Sequence, residues 1–412
     1  MRVLQVNQSD REGGAARAAL RIHRALLDDG IDSLMLVNAP SGLELAVSGP
    51  HSRWERLIAR AKPQIVKPLL STIRTENSTI HSAAVFNSRW VDRINGSDAS
   101  VVNLHWTCGE MLSIEDIGRI EKPVVWTLHD MWPFCGAEHY TENRRWEQGY
   151  RRDNRAPGES GFDLNRWTWL RKRKHWQRPL HIVTPSQWLA DCVRRSALMG
   201  DWPLTVIPNA IDTNWWKPLS TEDARQQLGL PSSVPLLLFG AIGGGKDPRK
   251  GFDLLLEALE HFRHSDSSYG AELVVFGQTA ANDQPDLGFP VHYMGHVDHD
   301  EQLRALYNAA DVLIVPSRQD NLPNTCVEAH ACGLPVVAFN VGGLPDIVAH
   351  RSSGHLAEAF KTEDLAAGIG WAVEQRAVPA TRAEARVRSL KLFSTTSVAA
   401  RYRALYEVAV QQ

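Results

Sequence analysis

Five cysteines in 412 residues (Cys108, Cys135, Cys192, Cys326, Cys332) are too few and too scattered for a disulfide framework. They are odd in number and contain no C-x-x-C pair, which argues against a zinc ribbon and for free thiols in a reducing cytoplasm. No run of 18 apolar residues occurs, so no transmembrane helix is expected. The start, Met1 to Asn7, lacks the apolar centre of a signal peptide. Charge excess is also missing: 45 Lys and Arg against 47 Asp and Glu give −2, which implies no polyelectrolyte partner such as nucleic acid. No internal repeat or low-complexity tract appears. What remains is a balanced globular composition, 43% hydrophobic and 22% charged, too long for one ordinary core. Two domains of roughly 200 residues are the default.

The most informative stretch runs from Ser317 to Ala338. An apolar run, Val312 to Val315, reads as a buried parallel strand. A polar loop with Asp320, Asn321, Leu322 and Pro323 follows. A short helix is then expected, with Asn324 and Thr325 as caps and Gly333 and Pro335 as stops. Pro335 to Phe339 reads as the next strand. The loop therefore lies at the carboxyl end of a strand, where open α/β sheets bind ligands, and the helix start would suit a phosphate. Asp320 precedes the helix and Glu328 lies within it, so two carboxylates approach one ligand from different directions. An ionised carboxylate accepts hydrogen bonds from two neighbouring hydroxyls, as a ribose or hexose presents. The plainer alternative is a pair of acids solvating a helix end.

Upstream, Val3 to Val6 reads as a strand, Gly13-Gly14 as a turn and Ala15 to Leu27 as a helix. The loop is not the G-x-G-x-x-G dinucleotide fingerprint. Val101 to Leu104 and Pro123 to Leu128 are two more strands, ending on His105 and on His129-Asp130. Val234 to Gly240 opens a second set. Behind it, Gly240 to Lys246 nearly spells a P-loop, but Asp247 occupies the magnesium-hydroxyl position and would repel phosphates, which argues against an NTPase. Asp247-Pro-Arg249-Lys250-Gly251 offers cations to a diphosphate instead. No D-x-D stands in a metal-binding context.

Together these segments resemble the retaining GT-B glycosyltransferases of family 4 (group 1). The likeness rests on an E-x7-E-like pair (Asp320, Glu328), a D-P-x-K-G run ending at Gly251, a G-G-x-x-D loop at Gly342, and an I-P-N-x-hydrophobic-D hinge at Ile207. Asp320 to Asn324 looks nearest the branch that builds exopolysaccharides such as colanic acid. The resemblance implies two doubly wound Rossmann-like domains across a cleft: 1–214 on the acceptor side, 215–392 for the donor, and a helix over 393–412 returning to the first. It implies transfer of a hexosyl unit from a UDP- or GDP-linked sugar to a glycan or lipid-linked glycan, with retention and without a metal. Glu328 would hold the ribose. Asp320 and the Asn321–Asn324 backbone would hold the sugar, with Thr325 at the helix start. Lys250 would bind the diphosphate, helped by Lys246 or Arg249 because Gly244 stands where many relatives have Arg. His129 would touch the sugar near its reacting carbon. Gly14 would approach the diphosphate, and Gly13, His105 and Asp130 lie on the acceptor side. Rival readings are a nucleotide-sugar hydrolase or epimerase, or a silent binding protein.

Two stretches fall outside these motifs. Residues 54–75 alternate apolar and basic residues, and Pro63 and Pro68 suggest two short helices. They read as surface helices packing on the sheet, or as peripheral contact with an anionic membrane. Residues 132–178 carry eleven cations against six acids, interleaved with Trp146, Trp167, Trp169 and Trp176. An insertion that binds the acceptor is preferred over a solvated loop and over nucleic acid. Relatives carry several cysteines here, of which Cys135 alone remains.

Overall fold

The computed structural model describes residues 1–44, 46–240, 247–277, 286–297 and 299–411. It divides into two compact units, Met1–Ala210 with Val398–Gln412, and Ile211–Ser397. The changeovers fall a few residues from the 214/215 and 392/393 boundaries drawn on the sequence.

In the first unit the strands are β1 (Arg2–Ser9), β2 (Asp32–Ala39), β3 (Val47–Ser48), β4 (Ile73–Arg74), β5 (Val101–Leu104), β6 (Val124–Thr127), β7 (Ser160–Gly161), β8 (His181–Thr184) and β9 (Leu204–Val206). Seven form one sheet in the order β3-β2-β1-β5-β6-β8-β9, while β4 and β7 pair separately. Every pairing in the large sheet is parallel. Alternate residues explain why it is covered twice: Leu4, Val6, Val102, Leu104 and Trp126 enter one core, and Val3, Val101, Val125 and Val183 another. The second of these cores is completed by Val398, Tyr402, Tyr406 and Ala409 of the last helix, Thr395–Val410.

The second unit holds β10 (Leu236–Gly240), β11 (Glu272–Phe276), β12 (Val291–Tyr293), β13 (Val312–Val315), β14 (Val336–Phe339) and β15 (Gly354–Ala357). Their order is β12-β11-β10-β13-β14-β15, again parallel throughout. Leu236, Leu238, Leu313, Val315 and Val336 face one core, and Leu237, Phe239, Ile314 and Val337 the other. Buried Arg225 ties this unit together, bonding Asp311 at 2.8 Å and the carbonyls of Ala309, Ser232 and Val234. Breaking such a pair on one side leaves an uncompensated buried charge.

Two expectations need correction. Residues Arg53–Leu70 form one helix, not two, and Pro63 and Pro68 sit inside it. A capping box between Ser52 and Glu55 starts it. The tryptophans interleaved with cations are mostly core: Trp146, Trp169 and Trp176 are buried. Many of the cations there are structural as well. Arg145 is buried against Asp163 at 2.7 Å, with Glu159 at 3.4 Å. Lys172 is wholly buried, donates to the carbonyls of Trp132, Cys135 and Gly136, and lies 3.8 Å from the centre of the Trp132 ring. Tyr150 donates to Glu138 at 2.5 Å beneath the Arg145 guanidinium. An ion network thus holds this segment together. Composition could not separate an internal cation from a solvated one.

Candidate functional site

In the second unit the site is built where β10 and β13 end. Asp247 accepts from the Arg249 amide at 3.1 Å and from its guanidinium at 2.7 Å, which shapes the turn Pro248–Lys250. Gly251 follows in the left-handed region at φ 65°, where a Cβ would stand 2.0 Å from the Pro316 carbonyl oxygen. Only glycine lets this turn lie so close to the end of β13. Arg318 fastens the two loops: its amide donates to the Arg249 carbonyl at 2.7 Å, and its guanidinium grips Asp253 at 2.5 and 2.6 Å.

The result is that Lys250 Nζ lies 2.6 Å from Asp320 Oδ2. Asp320 pulls the Lys250 ammonium above the ordinary lysine value, against the cost of burial. The Asp320 peptide is fixed in turn by the glycine loop. Its carbonyl accepts from the Gly343 amide at 3.0 Å, and a Cβ on Gly342 (φ 57°) would come within 2.0 Å of the same oxygen. The Gly342–Gly343 loop thus spends one of its amides on Asp320. Lys250, Asp320 and Thr325 share the lining of one pocket of about 80 Å³ with Phe239, Gly240 and Ser317.

The helix spans Asn324–Ala331. Its N-cap is Pro323, and no side chain caps it, so the expected capping by Asn324 and Thr325 is corrected. Pro323 has no N–H to lose at that place, and its fixed φ suits the entry. Asn321 is buried, and Leu322 sends its side chain into the core, which leaves Leu322 its backbone to offer. Glu328, only 1% exposed, accepts from the Tyr307 hydroxyl at 2.9 Å. Tyr307 was not singled out in the sequence, where it reads as one more apolar position of the helix before β13. Lys246 lies outside the described residues.

In the first unit, the ends of β1, β5 and β6 meet. Gly13 (φ 89°) is the N-cap of helix Gly14–Asp28. His129 Nε2 stands 3.0 Å from His105 Nδ1, and His105 Nε2 stands 2.7 Å from Gln5 Oε1. Burial pushes His129 down to about 4; burial and the neighbouring His129 push His105 well below the ordinary histidine range. Both rings are therefore neutral at pH 7. Asp130 takes Trp106 Nε1 at 2.9 Å, His139 Nδ1 at 2.6 Å and the Trp132 amide at 2.9 Å. Burial alone would raise its carboxyl; His139 and these donors outweigh it and hold it below the usual range.

Sequence reading missed the polar row beneath these groups. Gln5 and Asn103 are register partners, and both reach Tyr406 Oη, at 3.4 and 2.8 Å. Thr127 lies 3.0 Å from Tyr402 Oη. The signal was available: polar residues in central, otherwise apolar strands need partners. Among the described residues, no group of three or more His, Cys, Asp or Glu side chains is placed to hold a metal.

Two parallel sheets, each buried on both faces and each carrying polar groups at its carboxyl edge, define a protein of the GT-B class. Solved structures share the architecture. Anabaena Alr3699/HepE, in complex with UDP and glucose, matches at a TM-score of 0.67 and 17% identity, over 99% of this chain and 100% of that one. Sucrose-phosphate synthase from Thermosynechococcus elongatus matches at 0.63 and 17%, over 99% and 98%. At such identities the likeness is one of fold. Sequence carries it further: the model for Glycosyltransferase Family 4 matches residues 12–215, and that for Glycosyl transferases group 1 matches 236–375. The chain belongs to the group 1 glycosyltransferase family of GT-B fold. Among curated relatives, the D-inositol 3-phosphate glycosyltransferase of Segniliparus rotundus is 32% identical over 40% of this chain and 38% of its own length. That of Corynebacterium aurimucosum is 29% identical over 55% and 56%. The chain thus spans about half or less of these relatives.

Proposed function

We propose that the chain moves a hexosyl unit from a UDP- or GDP-linked sugar to a hydroxyl of a glycan or lipid-linked glycan, with retention at the anomeric carbon. The observation that carries this reading is the Lys250–Asp320 pair at the carboxyl edge of β10 and β13, beside the start of the helix that bears Glu328. When the glycosidic bond breaks, the nucleoside diphosphate gains negative charge, and a cation must receive it. Lys250 does so, leaving Asp320 for the sugar hydroxyls; Arg249 or Lys246 supplies the second cation. Glu328, oriented by Tyr307, takes the ribose diol. Asn321, Leu322, Asn324 and Thr325 present backbone to the sugar and phosphates, and Gly14 admits the diphosphate.

His129 contacts the sugar near its reacting carbon, while Gly13, His105 and Asp130 serve the acceptor side through the groups they orient. The acceptor oxygen bonds to the anomeric carbon on the face that the phosphate leaves, and its proton passes to that phosphate. No divalent metal enters this reading, and addition of EDTA is expected to leave turnover intact. Five buried free cysteines suit a reducing cytoplasm. A second acceptor, a phosphorylated inositol, is favoured by the activity named for the curated relatives.

A thermal-shift screen of nucleoside diphosphates and their sugars tests the donor. The true one at a hundred times its Kd stabilises by about 2.7 kcal/mol. An NMR time course then separates the classes. Transfer only with an acceptor supports the proposal, release of free sugar or isomerised donor without one supports a hydrolase or epimerase, and binding without turnover supports a silent protein.

A further inference from the structure

The helix Arg53–Leu70 carries its most apolar stripe outward. At about 100° per residue, its side chains fall on three faces. Val66, Leu69 and Leu70 pack on a small core with Ala83, Ala137 and Leu164, and Lys62 on that flank donates to the Asn87 carbonyl at 2.9 Å. A second face holds Arg53, Arg56, Arg60 and Lys67, all exposed. The third holds Trp54, Leu57, Ile58 and Ile65, which are 74%, 56%, 52% and 61% exposed. In an ordinary surface helix the apolar stripe is the packed one. Here the packed stripe and the large exposed one are separate, which overturns the default that the basic face is simply solvated while the apolar face lies on the sheet.

We propose that this helix is a docking surface for an anionic lipid bilayer, lying flat with Trp54, Leu57, Ile58 and Ile65 among the acyl chains and Arg53, Arg56 and Arg60 at the headgroups. Three observations carry it. The apolar stripe runs over three turns and, among the described residues, nothing covers it. The cations form a row alongside that stripe, so both can meet one plane. Finally, the single acid of the helix, Glu55, is turned back onto the His51 and Ser52 amides at its start, where it does not repel anionic headgroups. This charge pattern fits phosphate headgroups and is local, since the whole chain carries a net charge of only −2. The surface is independent of the proposed transfer, since binding to lipid requires neither donor nor acceptor.

Sedimentation of the full chain with vesicles tests it, using phosphatidylcholine alone or phosphatidylcholine with phosphatidylglycerol. The chain should pellet with the phosphatidylglycerol vesicles, weakly with phosphatidylcholine alone, and less as salt rises. The triple variant Arg53→Gln, Arg56→Gln, Arg60→Gln should bind about a hundredfold more weakly, at roughly fivefold per cation. Trp54→Asn with Leu57→Asn and Ile58→Asn should lose binding at an unchanged melting temperature, since these side chains touch little of their own domain. Equal binding by either variant, or no binding by the parent chain, overturns the proposal. So does a dimer in solution that the apolar variant converts to monomer while vesicle binding stays absent, because the stripe would then be covered by a second copy.

Discussion

The Lys250 ammonium and the Asp320 carboxylate, 70 positions apart in the chain, meet at 2.6 Å across the ends of two neighbouring strands. On the proposed reading, a diphosphate at Lys250 competes with Asp320 for the ammonium. Lys250→Met is therefore expected to lower sugar transfer by about 10²–10³-fold, the usual loss when one preorganised charge at a leaving group is removed. Melting temperature should hardly change, because a pair this exposed contributes little to stability. Lys250→Arg should recover part of the rate. Comparable turnover of Met and parent enzymes would remove Lys250 from the reaction.

Glu328 accepts a hydrogen bond from the Tyr307 hydroxyl at 2.9 Å. Tyr307→Phe removes that donor while keeping the ring that packs against Trp216 and Phe276. Loss of a hydrogen bond to a charged group is worth about 1.5–3 kcal/mol, so nucleotide affinity should fall at least tenfold. Calorimetric titration with UDP and GDP reads this directly. An unchanged Kd for whichever nucleotide binds would show that Glu328 needs no help from Tyr307.

Gly342 permits a backbone approach as close as that of Gly251, here against the Asp320 carbonyl. Gly342→Ala combines a clash with a left-handed backbone, and should destabilise the fold by more than about 1 kcal/mol. Because the displaced atom belongs to Asp320, donor affinity should fall with it. Urea denaturation and nucleotide titration on the same variant check the two effects together; a stable variant with normal affinity would mean that the loop gives way freely.

Acid sensitivity follows from buried histidines. Burial holds His330 down to about 3, with Arg388 adding to the shift, and it holds His105 well below the ordinary range. Unfolded, each binds a proton near pH 6.5; folded, neither does so until far lower. Below about pH 6.5 the unfolded chain therefore holds more protons, and stability drops as pH falls, by up to about 1.4 kcal/mol per pH unit per histidine. His330→Leu should flatten the melting-temperature profile between pH 6.5 and 4.5. A parallel profile would remove His330 as a source of the slope.

Strands with unbroken Val, Ile and Leu runs, and loops punctuated by glycine and proline, were legible because burial on both faces leaves so plain a pattern. The closing helix, drawn on the sequence over 393–412, spans Thr395–Val410. Legibility ended where a residue's partner lies far along the chain. Arg145 and Lys172 looked like cations of an acceptor-binding insertion because Asp163 and the carbonyls after Trp132 reach them only in the fold. Tyr307 looked apolar because its hydroxyl finds Glu328 21 positions away. The helix Arg53–Leu70 was misjudged at its prolines: each removes one N–H from the ladder, yet both sit in one continuous helix. Its three-sided character could not be read from periodicity, which shows that a stripe exists but not what covers it.

Tyr402 and Tyr406 also set a timetable. The Gln5 amide reaches a hydroxyl 401 positions downstream, and the core behind the first sheet is closed by Val398 to Ala409. A nascent first half emerging from the ribosome must wait for nearly all of the second half to be made, which at 5–20 residues per second takes about 10–40 s. During that interval the rear of its sheet is bare. Synthesis through Ala409, and not of residues 1–210 alone, is the event that completes the first Rossmann-like unit.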